Sequence, residues 1–121
     1  MDFSIDKNRP ICPQIVEALC VGIANGKWNP HDRLPSVREI AMTASTNPNT
    51  VQRAFESLEA DGIVYSVRGS GSFVAEDTAL AKAAVQTLIA EKTAAYVAQM
   101  RALGVVPAQI QQYIKEWKYD E

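Results

Sequence analysis

Two helix-start signals lie eleven positions apart in this chain, and that spacing restricts what the middle of the sequence can become. Ser36, followed three residues later by Glu39, is a capping box in which each side chain satisfies a backbone donor of the other. Asn47-Pro48 places a good N-cap ahead of a proline at the first helical position. Starts this close leave room for one helix of about ten residues and a polar turn at Ser45-Thr46. Val37, Ile40, Ala41 and Ala44 give the first helix a short apolar face. Val51, Ala54, Phe55 and Leu58 give the second its inner face, and Asp61-Gly62 stops it. The pair is read as helix, tight turn, helix.

The flanks complete a pattern. Upstream, Ile15, Val16, Leu19, Cys20 and Ile23 recur at helical spacing within about Cys12 to Asn25. Pro13 must lie in the first turn, and Asn25-Gly26 ends the helix. Asn29-Pro30-His31-Asp32 then reads as a turn. Downstream the period falls to two. Ile63-Val64-Tyr65 and Ser72-Phe73-Val74 are short strands around a glycine-rich turn, a hairpin that must lean on the helices to be stable. Three helices and a hairpin in this order predict a mostly α, winged helix-turn-helix fold over residues 1–75.

Residues 76–121 change character. A long helix is expected from about Thr78 to Leu103, with Val85, Leu88, Ile89, Tyr96, Met100 and Leu103 on one stripe that Lys92 interrupts. Gly104 ends it. Pro107 opens a last short helix with Ile110, Tyr113, Ile114 and Trp117 inward, although Val106 is a poor N-cap. Such a helix pair cannot bury its face alone, so it packs on its own domain, on a second copy, or on both.

Composition removes several classes of function. The 121 residues carry 12 Lys+Arg against 14 Asp+Glu, too balanced for a basic nucleic-acid coat or an acidic tail. No apolar run is long enough to span a membrane, and the start lacks the apolar core of a signal peptide, so a cytoplasmic protein is expected. Cys12 and Cys20 are too far apart along one helix for a disulfide and read as buried free thiols. His31 is the single histidine and reads as a solvated loop residue. No metal cluster, cofactor site, paired carboxylates or nucleophile–base pair is expected, and Gly69-Ser70-Gly71 is too short for a phosphate loop. Catalysis is not expected.

Charge is nevertheless uneven. Residues 33–53 hold Arg33, Arg38 and Arg53 against Glu39 alone, and the hairpin adds Arg68 with no acid. At about 100° per residue, Asn49 and Arg53 point away from Val51, Phe55 and Leu58, with Gln52 beside them. Amides pair with adenine edges, arginine with guanine or phosphate, and Thr50 at the helix start suits phosphate. The same three side chains could equally be a solvated helix face. A winged helix used only for protein interaction is the rival reading.

The runs L-P-S-V-R-E-I-A, N-P-N-T-V-Q-R-A-F-E-S-L-E-A-D-G-I-V and R-G-S-G-S-F-V, in this order and spacing, resemble the DNA-binding domain of GntR-family bacterial transcription regulators. The opening F-S-I-D…R-P-I…Q-I-V-E-A-L is similar too, and the N-P-N-T-V form with a two-helix tail resembles the YtrA-like subfamily. The resemblance implies DNA contacts at Arg38, at Asn47, Asn49, Thr50 and Gln52, and at Arg68 and Gly69 on the wing; the helical wheel adds Arg53. Gly69 and Gly71 could equally serve only the tight turn. The chain departs from many members in placing Pro48 and Gln52 where arginine is frequent. The tail resembles a dimerisation element, so the resemblance implies a homodimeric repressor on a palindromic double-stranded operator, with its own operon and a linked transporter as a target. A length of 121 residues leaves no room for the effector or aminotransferase-like domain of larger members. A cleft between the two segments could still hold an unidentified small-molecule effector. Trp28, Trp117 and Tyr119 are open between packing and rim roles.

Overall fold

A computed structural model describes residues 3–118. The described residues form α1 (Ile11–Ala24), α2 (Val37–Thr43), α3 (Pro48–Ala60), β1 (Val64–Val67), β2 (Gly71–Val74), α4 (Ala79–Ala102) and α5 (Pro107–Glu116). They divide into two compact units, the first ending at Val85 and the second beginning at Gln86, with the division falling inside α4. Tyr119 lies outside the described residues.

The first unit is built around α3. Val51, Ala54, Phe55 and Leu58 are all buried, as their spacing predicts, and join Ile15, Leu19, Cys20 and Ile23 of α1 in one core. Ile40, Ala41 and Ala44 close it from α2. Ser36 and Glu39 form the expected capping box, the Glu39 N–H donating to Ser36 Oγ at 3.1 Å and the Ser36 N–H to Glu39 Oε1 at 3.3 Å. The helix it starts has seven residues, shorter than expected. It ends early because Ser45 takes a left-handed φ of +52° and the Thr46 N–H turns back to the Ala41 carbonyl at 2.9 Å.

The hairpin pairs Val64 with Val74, Tyr65 with Phe73 and Val67 with Gly71. Val64 and Val74 face the core, while Tyr65 and Phe73 stack on the other face with centroids 5.6 Å apart. This is the alternation a half-buried ribbon requires. A third edge was not foreseen. Residues 31–34 lie along β2, with His31 N–H donating to Val74 O, Val74 N–H to Asp32 O and Leu34 N–H to Ser72 O, all at 2.8–2.9 Å. The turn at Asn29–Asp32 therefore ends in a strand-like pairing. His31 is exposed but not merely solvated, since its Nδ1 lies 2.9 Å from the Tyr65 hydroxyl and its ring meets Tyr65 edge-on.

The segment before α1 is also fixed. Phe3 is buried in the core, and Gln14, the one polar residue among the described residues that is buried, holds the chain at 6–10. Its Oε1 accepts from the Asp6 N–H at 2.8 Å, and its Nε2 donates to the carbonyls of Asp6, Arg9 and Pro10 at 2.9–3.3 Å. Trp28 is a packing residue: its ring lies against Gly22 where any Cβ would stand. The two thiols differ. Cys20 is buried, and burial, with Asp61 and Glu17 adding to it, pushes its pKa up. Cys12 is only half-buried because the α1 N-terminus borders an open cleft.

In α4, Ala81 is buried, and Ala84 and Val85 pack on the first unit's core. Within the second unit, Ile110 is buried, but Tyr113, Ile114 and Trp117 are 53%, 47% and 69% exposed. The expected inner face of α5 is thus left largely uncovered, because one neighbouring helix cannot sheath a whole stripe. Val106 lacks a capping side chain; its N–H is met instead by Gln109 Oε1 at 3.0 Å.

Two substitutions check this packing. Phe55→Ala should cost about 3–5 kcal/mol by leaving a cavity under α3, read as a fall in melting temperature. Gly22→Ala should also lower it, by driving the indole out of its seat. An unchanged melting curve for either would mean that α3 or Trp28 is packed differently.

Candidate nucleic-acid interface

Because the apolar stripe of α3 faces the core, the opposite arc carries Asn49, Gln52 and Arg53, and all three are exposed. Asn49 stands at the crest, with Gln52 on one flank and Arg53 on the other, as about 100° per residue requires. Glu56 occupies the same arc one turn later, so the first two turns are the part of α3 suited to a polyanion. Asn47 does what its position dictates: its Oδ1 accepts the Asn49 N–H at 2.8 Å and caps the helix. That leaves its side-chain NH₂ to donate outward. Thr50 is half-buried, and its hydroxyl receives a long 3.5 Å contact from Arg53 Nη2.

Each flank of α3 borders a cleft. On the Arg53 side, Lys7, Arg9, Pro10, Ile11, Cys12, Thr50 and Arg53 line an open cleft of about 520 Å³. On the Gln52 side, a smaller groove of about 270 Å³ runs to the wing between Gln52, Arg33, Ser36, Ser66, Gly69 and Ser72. Arg38, at the second position of α2, and Arg68, at the wing tip, are exposed. Among the described residues, none of Arg33, Arg38, Arg53 and Arg68 has a carboxylate within 4.0 Å. A face of unpaired guanidinium groups, amides and hydroxyls is chemically matched to phosphates and base edges.

The wing tip shows why glycine stands there. The Ser70 N–H closes a turn onto the Val67 carbonyl at 2.9 Å, with Gly69 at φ +80° and Gly71 at φ +120°. Both conformations are strained for any side chain. At Gly71 a Cβ would also press on Arg33 Nε, so Arg33 lies across the wing. Around Gly69 the space is open. The wing is tied to α3 by Glu59, whose Oε1 accepts the Ser66 N–H at 3.2 Å. That carboxylate therefore has a structural use at the far end of the helix.

Sequence reading brought Asn49, Gln52 and Arg53 to one arc but missed Lys7, Arg9 and Gln14. Lys7 Nζ donates to the carbonyls of Ala44 and Ser45 at 3.0 and 2.7 Å. It thereby neutralises the end of α2 and holds the left-handed Ser45, a conformation that costs a non-glycine residue about 1–2 kcal/mol. The signal was the pair of cations just before Pro10, which no periodicity marks. Lys7→Met should keep the fold and destabilise it by about 1 kcal/mol. Hydrogen exchange should quicken at Thr46 and leave α1 unchanged. Equal protection at Thr46 in both proteins would contradict this role.

The comparisons with known proteins point one way. Residues 13–74 match the family described as "Bacterial regulatory proteins, gntR family". The chain is 35% identical to the uncharacterized HTH-type transcriptional regulator YhcF of Bacillus subtilis, over 95% of either chain. It is 34% identical to the HTH-type transcriptional repressor YtrA of the same organism, over 92% of this chain and 86% of that one. A GntR family transcriptional regulator from Listeria monocytogenes has a similar structure, with a TM-score of 0.81 and 32% identity over 94% of this chain and all of that one. The AraR DNA-binding domain, solved with its operator ORR3, aligns at a TM-score of 0.52 and 31% identity, covering 53% of this chain and 77% of that one.

Proposed function

This chain belongs to the GntR family of bacterial regulatory proteins, a DNA-binding transcriptional regulator and not an enzyme, and from that premise we propose that it is a homodimeric repressor whose α3 reads a palindromic operator. The observation that carries the reading is the exposed Asn49–Gln52–Arg53 arc, held outward by the buried stripe on the other side of the same helix. A helix of this kind enters the major groove with its N-terminal residues, while a wing reaches the backbone. Asn49 and Gln52 are assigned to base edges, and Thr50 and the Asn47 NH₂ to phosphate. Arg38 at the start of α2 and Arg68 with Gly69 on the wing complete the contact set. The name of YtrA as a repressor supports repression here. A cytoplasmic site of action goes with the regulator reading, and no described helix is long and apolar enough to cross a membrane.

Residues 1–75 are assigned to DNA binding and 76–121 to dimerisation. In the second unit Ile89, Tyr96, Leu103, Tyr113, Ile114 and Trp117 are all at least about one-third exposed, and exposed apolar side chains clustered in this way mark protein–protein contact surfaces. Tyr96, Tyr113, Ile114 and Trp117 line a hollow of about 640 Å³ that a second copy would fill. Two linked readers make the second half-site contact intramolecular, raising affinity by about 10²–10⁴.

The duplex needed for testing comes from selection out of a random pool by the full-length protein. Asn49→Ala should lose about 1–3 kcal/mol on the selected duplex and little on scrambled DNA. Arg38→Ala should weaken both, without a change in melting temperature. Ile114→Glu should convert a sedimenting dimer to a folded monomer that is indifferent to loss of one half-site. Failure to enrich any sequence would contradict the regulator reading, and a persistent Ile114→Glu dimer would contradict the assignment of the tail.

A further inference from the structure

Nothing in the helix-turn-helix motif assigns a role to the segment before α1, yet it is among the best-tied loops of the first unit. The buried Gln14 amide clamps residues 6–10 through four hydrogen bonds, and Lys7 anchors the same segment to the α2–α3 turn. The clamp delivers Arg9 to the cleft that Thr50 and Arg53 line from α3. Arg9 touches Asp6 through Nε at 3.2 Å and Gln14 through Nη2 at 3.5 Å. A guanidinium has five donors, so most of its fork stays open to a ligand. Both members of the Arg9–Asp6 pair are about half exposed, where such a pair contributes little and can yield to a stronger anion. Among the described residues, Arg53 has only the marginal Thr50 contact to hold it.

We propose that this cleft seats a backbone phosphate of the operator, with Arg9 and Arg53 bracketing it from the arm and from α3. The inference rests on the DNA-binding reading and deepens it. It makes the arm a third DNA-contacting element beside α3 and the wing, and makes Arg53 a phosphate ligand and not a reader of guanine. With Asn49 at the crest and the wing groove on the Gln52 flank, the cleft lies where one rim of a major groove occupied by α3 would pass. Preorganisation by Gln14 removes the ordering cost that a flexible arm would carry on binding.

Fluorescence anisotropy with the full-length protein, on the selected duplex and a scrambled one across a potassium chloride series, tests this directly. Arg9→Gln and Arg53→Gln should each weaken binding by the same factor on both duplexes. The slope of log affinity against log salt should shrink by about 0.9 for each phosphate that is no longer neutralised, and the preference for the selected sequence should be unchanged. Both side chains are exposed, so unaltered melting curves should accompany the effect. Wild-type affinity and slope in Arg9→Gln would overturn the proposal, as would an Arg53→Gln defect confined to the selected duplex. A parallel titration replaces chloride with inorganic phosphate at equal ionic strength. Displacement of DNA by phosphate in the wild type but not in Arg9→Gln would show the two competing for this cleft, as the proposal expects. Phosphate that binds the cleft while leaving DNA affinity unchanged would show a small-anion site and overturn the backbone assignment. A wild type that binds neither duplex would sink the DNA-binding reading itself, and this proposal with it.

Discussion

Burial of Val51, Ala54, Phe55 and Leu58 along one stripe sets the rotation of α3 about its own axis. A fully buried Val, Leu or Phe side chain is worth about 1.5–3 kcal/mol. Turning the helix by one residue would expose such groups and bury Asn49, Gln52 or Arg53 without partners, a penalty on the scale of the stability of a small domain. The outward arc is therefore a consequence of the core. Its precision is inherited from packing and owes little to the exposed side chains themselves.

The other elements of the face are referred to the same helix. Glu59 ties β1 to the end of α3, and the pairing of residues 31–34 with β2 runs directly into Ser36, which caps α2. Lys7 joins the arm to the turn that precedes α3. Wing, turn and arm thus reach the solvent at positions fixed relative to one another. This is how a chain of net charge −2 keeps a locally cationic surface: near that face Glu39 caps α2 and Asp6 pairs with Arg9, while Glu56 and Glu59 lie beyond the second turn of α3.

Much of this order was legible in the residues. Ser36–Glu39, Asn47-Pro48 and Asp61-Gly62 act through backbone groups a few positions away, so their structural result can be read locally. The arc of Asn49, Gln52 and Arg53 results from helical spacing alone. Gln14 could not be read in this way, because its partners are carbonyls of an aperiodic segment, and a glutamine in a helix is ordinarily a surface residue. The edge at residues 31–34 was hidden for a similar reason: a turn signal at Asn29-Pro30 does not name β2 as the strand on which those residues pair. In α5, periodicity identified which residues share a face but not what covers it, and Tyr113, Ile114 and Trp117 are exposed within their own chain.

The central claim is that the face presented by the first two turns of α3 is the surface that meets DNA. A titration of the isotopically labelled full-length protein with its selected duplex, monitored by backbone and side-chain amide signals, addresses it residue by residue. The account predicts that the side-chain amides of Asn49 and Gln52 and the backbone of residues 68–70 move most, while signals from Leu88 to Trp117 change only through altered tumbling. Large shifts confined to residues 86–118, with Asn49 and Gln52 unmoved at saturation, would contradict it.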